Sequence, residues 1–348
     1  MTSPFPGVLG HDYARDGLWR SMAEGRLHHA LLFHGLHGVG KRTLAGVVAR
    51  TLLCEAPRFG PCEACTHCQR TAKDVHPDLV ILGRDDVLGI DPGMSAHRQF
   101  RMEKKKEPVG KIIDVEYMRV LADRLAEKPF EAARRVIVVV DAERMNIPAA
   151  NVFLKGLEEP AAGSVAILTS SAPSFLRPTI RSRCAAIRLA GIPQSLIEQR
   201  LMETGVNPIE ARFRAHASAG SLSRALRTRP RLDDLRDLLL RRFGGGKDAE
   251  VAAFLAASYA AEKDVDRDAA LHVFATLLRD VAVIRSAGPG DDLVHADVAD
   301  RVAQIAAGPI DPFALFSKVV EARERIAGNA NRTSLWDDLL HAATSGAS

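Results

Sequence analysis

The chain has 348 residues, 47% of them hydrophobic and 26% charged, and 47 Lys and Arg against 43 Asp and Glu leave a formal net charge of +4. That is the composition of an ordinary soluble globular protein, long enough for two or three domains. No stretch approaches the roughly 18 to 20 uninterrupted apolar residues of a membrane span, and the mild positive charge permits work near nucleic acid without requiring it.

Residues 1–10 lack the basic start and apolar core of a signal peptide, so a cytoplasmic address is expected. An amphipathic segment from Leu18 to His29 leads into a first buried strand, Ala30 to Phe33. Gly35-Leu36-His37-Gly38-Val39-Gly40-Lys41-Arg42-Thr43 follows and opens a helix running to about Leu53. Strand, glycine turn and helix in that order form a phosphate cradle. Gly35, Gly38 and Gly40 let backbone N–H groups turn inward, the helix N-terminus adds its positive dipole end, and Lys41 reaches the terminal phosphates of ATP or ADP. The hydroxyl that normally follows the lysine and ligates magnesium is absent, because Arg42 stands there. Thr43 comes one residue later, turned by about 100°. The expectation is a nucleotide site kept in outline and impaired for hydrolysis.

Four of the five cysteines fall at the end of that helix, as Cys54-x7-Cys62-x2-Cys65-x2-Cys68; the fifth is Cys184. Their spacing suits a small tetrahedral ion and points to structural zinc, with four reduced thiols or an iron–sulfur cluster as the alternatives. His67 and His76 are nearby, but the ion does not need them. After His76-Pro77-Asp78, a second strand is expected over Leu79 to Leu82. No period is sustained from Gly83 to about Gly110, where Arg101, Lys104, Lys105, Lys106 and the adjacent Lys111 form a basic tract. It reads as a solvated loop or as a DNA or partner contact.

Val115, Met118, Leu121, Ala122 and Leu125 mark one face of a helix. Arg135 to Val140 closed by Asp141 reads as a central parallel strand with its carboxylate at the ligand-binding edge. The water-polarising glutamate expected after such an aspartate is replaced by Ala142, and Glu143 follows one residue late. A helix over Ala149 to Leu157 and a strand over Val165 to Leu168 come next. Thr169-Ser170-Ser171 is then either a γ-phosphate sensor or a polar turn. Leu176 to Cys184 leads into a short strand, Ala186 to Leu189. Beyond Gly191 the pattern is helical. Leu235, Leu238 and Leu239, then Leu271, Phe274, Leu277, Leu278 and Val281, then Phe313, Phe316, Val319 and Val320 are expected to face a bundle.

Several of these fragments resemble bacterial clamp-loader subunits of the AAA+ superfamily. They are His28 to Leu32, Gly38 to Ala45, the four cysteines, His76-Pro77-Asp78, Asn146 with Ala149 to Pro160, and Pro178-Thr179-Ile180-Arg181-Ser182-Arg183-Cys184. The resemblance covers residues 1–190 and implies an α/β P-loop domain (1–190, with the zinc module at 54–68), a small helical lid (191–230) and an all-α collar (231–348). Arg42 and the missing glutamate resemble the loader's non-hydrolysing member rather than its ATPase, gamma/tau. The family implies that Arg183 projects as a finger into a neighbour's ATP site and that Asp141 and Arg224 (the sensor 2 position in Gly220 to Ala225) attend bound nucleotide; whether magnesium accompanies it stays open. It further implies a five-subunit assembly with gamma/tau and delta subunits, acting on a sliding clamp and primed DNA. The chain would be a non-catalytic part of the polymerase holoenzyme. An active gamma/tau-like ATPase, in which Thr43 and Glu143 take shifted roles, is the alternative; their register argues against both facing the γ-phosphate. A zinc-dependent DNA reader would need a recognition helix or interleaved aromatics, and the cysteine module has neither.

Overall fold

The computed structural model describes residues 4–73, 75–83, 87–88, 112–113, 115–226, 230–245, 248–261, 267–288, 293–327 and 332–341. The basic tract at Arg101, Lys104, Lys105, Lys106 and Lys111 lies outside the described residues. The chain separates into two compact units, Met1–Gly191 and Ile192–Ser348.

The first unit is a six-stranded sheet in the order β3-β2-β4-β5-β1-β6. Its strands are β1 (Ala30–Gly35), β2 (Leu79–Leu82), β3 (Val87–Leu88), β4 (Arg135–Val139), β5 (Ser164–Ser170) and β6 (Ala185–Leu189). Among the described strands only β3 is antiparallel, against β2. The strands read as continuous apolar runs because the sheet is covered on both faces. Alternate residues divide between two cores. Leu31, Phe33, Val136, Val138, Val165 and Ile167 pack with Leu44 and Val48 of α2 (Lys41–Leu53) and with Leu18 of α1 (Asp12–Ala23). Ala30, Leu32, Ile137, Val139, Ala166 and Leu168 pack with residues of two further helices, introduced next. The helix α3 (Thr66–Ala72) follows the cysteines; Met118, Leu121 and Leu125 come from α4 (Val115–Ala126), and Phe153 and Leu157 from α5 (Ile147–Glu158). Asn146 caps α5 by accepting the Ala149 amide, with Pro148 in the first turn.

The P-loop helix runs as its pattern predicts, whereas α1 starts at Asp12, six residues before the amphipathic segment read from sequence. Thr169 and Ser170 belong to β5 itself and are buried, so the strand is longer than its apolar run. Neither β3 nor its pairing had a sequence signal. A short helix, α6 (Pro178–Arg181), precedes β6.

The second unit is helical: α7 (Gln194–Glu203), α8 (Pro208–Ala217), α9 (Leu222–Leu226), α10 (Pro230–Phe243), α11 (Ala249–Ala261), α12 (Arg267–Ala287), α13 (Ala299–Ala306), α14 (Pro312–Ala327) and α15 (Arg332–His341). Leu235, Leu239, Leu271, Phe274, Leu277, Leu278 and Val281 form its core with Trp336, and Phe213 and Ala217 of α8 join the same cluster. One expected stripe holds only at Val319. On α14 the buried face is Leu315, Val319 and Ala322, while Phe313, Phe316 and Val320 are 74%, 45% and 47% exposed. The spacing of those three also suits a helix face, but the tertiary fold turns it outward.

Candidate nucleotide and metal sites

The strand order sets the first site. The strand β5 lies between β1 and β4, so the loop after β1, the end of β5 and the residues after β4 converge at one carboxyl edge of the sheet. Gly35, Gly38 and Gly40 have φ of 152°, 80° and 99°, and Gly40 is the residue before α2. At Gly35 there is no room for a side chain, since a Cβ would lie 2.1 Å from the Leu189 carbonyl oxygen of β6. His11 contributes from outside the loop, its Nε2 2.8 Å from the Val39 carbonyl oxygen.

Lys41 lies buried in the cradle. Its Nζ donates to the carbonyls of Gly35 and Leu36, both at 2.8 Å, and to Ser171 Oγ at 2.9 Å. Burial lowers its pKa, against the opposing fields of Asp141 and Glu143. A phosphate that takes Lys41 must therefore displace three good acceptors. Arg42 and Thr43 are both exposed at the head of α2, where neither presents a buried hydroxyl to the loop.

Asp141 follows β4 in the left-handed region, φ 54°, and its amide donates to Thr169 Oγ1 at 3.1 Å. A single 3-10 turn then carries Glu143 back toward the loop. Its Oε1 accepts the Ser171 amide at 2.9 Å, and its Oε2 is buried without a partner. Register argues against Thr43 and Glu143 both facing the γ-phosphate, and Thr43 is exposed, whereas the left-handed Asp141 and the turn after it bring Glu143 to Ser171. Ser171 is the sensor-like residue that the structure joins to Lys41, while Thr169 and Ser170 are held within the strand.

Arg183 follows α6. Its Nη2 lies 2.6 Å from Glu158 Oε1, and its Nη1 donates to the Thr179 carbonyl at 3.0 Å. Arg224, in the second unit, is half-buried on α9, where Ser221 Oγ accepts its amide.

The cysteines form the second site. The helix α2 runs about 20 Å back from the cradle to the opposite edge of the sheet, and Cys54 stands at its end. This separation excludes the module from the phosphate chemistry. The Sγ atoms of Cys54, Cys62, Cys65 and Cys68 all lie within 4.8 Å of one another. The Cys62–Cys68 sulfur separation, 3.9 Å, matches the ~3.8 Å expected between thiolates of a tetrahedral zinc site with Zn–S bonds of about 2.3 Å. Three backbone amides aim at the sulfurs: those of Cys62, Cys65 and Cys68 donate to Cys54, Cys62 and Cys65 respectively. The Cys62 thiol is lowered to about 6, chiefly by the amides of Ala64 and Cys65, while burial pushes Cys68 up to about 12. The donor set and its spacing fit a closed four-thiolate zinc site.

The sequence places His67 and His76 near the module without need of them as ligands, and the structure gives them a different task. His76 Nδ1 accepts the Asp78 amide at 3.0 Å, so its neutral ring carries the proton on Nε2 and donates it to His67 Nδ1 at 2.8 Å. That nitrogen is thereby withdrawn from metal binding, although His67, His76 and Glu131 stand close enough to suggest a second ion. The pair fastens the cysteine module to the foot of β2. Trp19 stacked on Phe59, ring centroids 5.1 Å apart, fastens its other side.

A profile of the family described as "DNA polymerase III, delta subunit" matches residues 10–193. The chain is similar to the DNA polymerase III subunit delta' of Bacillus subtilis (strain 168), 27% identical over 337 residues and covering 93% of each chain. The DNA polymerase III subunit delta' of Escherichia coli (strain K12) is 30% identical over 337 residues, 92% of this chain and 90% of that one. Similarity to the gamma/tau subunit of Mycobacterium tuberculosis, 29% over 180 residues, covers 51% of this chain and 27% of that one. With the profile spanning more than half of the chain and the Escherichia coli relative aligned almost end to end, the chain belongs to the DNA polymerase III delta-prime family.

Proposed function

We propose that the chain is the delta-prime subunit of a bacterial clamp loader, a member that does not hydrolyse ATP itself, presents Arg183 to the ATP site of a neighbouring gamma/tau subunit, and helps place the sliding clamp on primed DNA. The observation that carries this reading is at the head of α2: Lys41 is satisfied in the cradle while Arg42 and Thr43 face solvent. The cradle then offers amides and a lysine to ATP or ADP but lacks the hydroxyl ligand for magnesium. Asp141 attends the nucleotide from the end of β4, and residues 191–230 form the small helical lid domain. The helices beyond residue 230 form the collar that joins the delta and gamma/tau subunits in a five-membered assembly. The four thiolates hold a structural zinc ion, which supplies no chemistry to the phosphates and ties the loop between α2 and α3 into one shape. The setting is cytoplasmic.

One observation favours a second reading. Glu143 faces the loop, as a water-polarising carboxylate must, and this keeps an active ATPase in play. ATP turnover decides between them. The purified chain alone is expected to show negligible magnesium-dependent turnover, and mixing with gamma/tau, delta, clamp and primed DNA to give turnover that drops with Arg183→Ala at unchanged assembly. Strong turnover by the chain alone, abolished by Lys41→Ala, makes it a motor instead.

A further inference from the structure

Glu158 is the last residue of α5. A carboxylate there faces the negative end of the helix dipole, so helix stability gives no reason for it. Its partner does: Glu158 Oε1 lies 2.6 Å from Arg183 Nη2, with the two side chains 47% and 38% exposed. The backbone beneath Arg183 is already fixed. Ile180 of α6 is fully buried, and the amides of Ser182 and Arg183 close turns onto the Pro178 and Ile180 carbonyls at 2.9 and 3.1 Å. With the Thr179 carbonyl on Nη1, two acceptors flank the guanidinium from its own chain. A guanidinium has five N–H donors, so most remain to meet an anion from outside.

We propose that Glu158 is a positioning residue for Arg183, holding the guanidinium pointed outward so that it meets a phosphoryl group of the neighbouring subunit without searching its rotamers. The inference rests on the trans-acting role given to Arg183 above. A half-exposed ion pair is weak, and that weakness fits the role, because the pair narrows the rotamer choice without competing strongly with a multiply charged phosphate.

The test uses the reconstituted loader with clamp and primed DNA. Glu158→Gln keeps the shape and removes the charge; it is expected to lower kcat by about threefold with KM for ATP unchanged, Glu158→Asp to recover part of the loss, and Glu158→Gln to add nothing in the Arg183→Ala background. A wild-type or raised kcat for Glu158→Gln, or a loss that persists in the Arg183→Ala background, overturns the inference. If Arg183→Ala itself leaves turnover unchanged in an intact assembly, the trans-acting role fails instead, and the two failures are told apart by that variant.

Discussion

Asp78 holds the foot of the sheet together by accepting at both oxygens. Its Oδ1 takes the Phe130 amide at 2.7 Å and Arg135 Nε at 3.2 Å, and its Oδ2 takes the amides of Glu131 and Ala132 at 2.8 and 2.9 Å. Burial alone would raise its pKa, but the three amides and the Arg135 cation outweigh burial and hold the carboxyl below the usual range. Asp78→Ala removes the acceptor of three part-buried amides and one partner of the buried Arg135, which keeps Glu127 Oε2 at 2.9 Å and the Arg124 carbonyl at 3.2 Å, and is expected to cost about 1 to 3 kcal/mol in urea unfolding. Because the folded pKa is the lower one, the stabilisation is complete above the ordinary aspartate pKa of about 4 and is lost as pH falls through the folded value. His295 acts in the opposite chemical sense in the second unit. It is fully buried against Phe213 and Thr276, and burial first, then Arg236 and neighbouring cations, lowers its pKa to about 3. The unfolded chain takes that proton near pH 6.5, so stability is full above about 6.5 and declines steadily as the pH falls toward 3. His295→Gln should reduce the slope of unfolding free energy between pH 6.5 and 4; His216, lowered to about 4, supplies part of what remains.

The cysteine module shows how an element with little core of its own is held in place. Between α2 and α3 the chain is irregular, with positive φ at Phe59 and Glu63, and few apolar side chains to bury. The two fastenings, His67 to His76 and Trp19 to Phe59, and the ion proposed for the four thiols, stand in for a core there. Gently purified protein is expected to carry about one zinc per chain by metal analysis; less than about half an ion counts against the site. Stripping the metal with a chelator should release Phe59 from Trp19, so that Trp19 fluorescence changes at constant far-UV circular dichroism, and added zinc should restore it. No change in the Trp19 signal on complete removal separates the fastening from the ion. Trp336, buried in the second unit, is the constant background for that measurement.

At the scale of the whole molecule, the proposed work is done by surfaces offered to neighbours, and the cradle is secondary. Lys41→Ala in the assembled loader should therefore leave ATP turnover within about twofold, whereas Arg183→Ala should lower turnover at the served site by about 10³ or more; equal losses from both would place hydrolysis in this chain. The sequence by itself determined the α/β unit, because runs such as Val136 to Val140 can be buried on both faces only in a parallel sheet. It also located the glycine loop that ends at Lys41 and the four thiols that come together, since glycines before a lysine and thiols at close spacing carry their signal locally. Only the tertiary structure decided what depends on a third element. Glu143 faces the cradle because Asp141 bends the chain left-handed, His76 fastens the cysteine module because Asp78 fixes its tautomer, and Glu158 meets Arg183 from a helix 25 positions earlier. Helical spacing could not tell the buried face of α14 from the exposed Phe313, Phe316 and Val320, because both faces carry apolar side chains and the neighbours on one side alone decide which is covered.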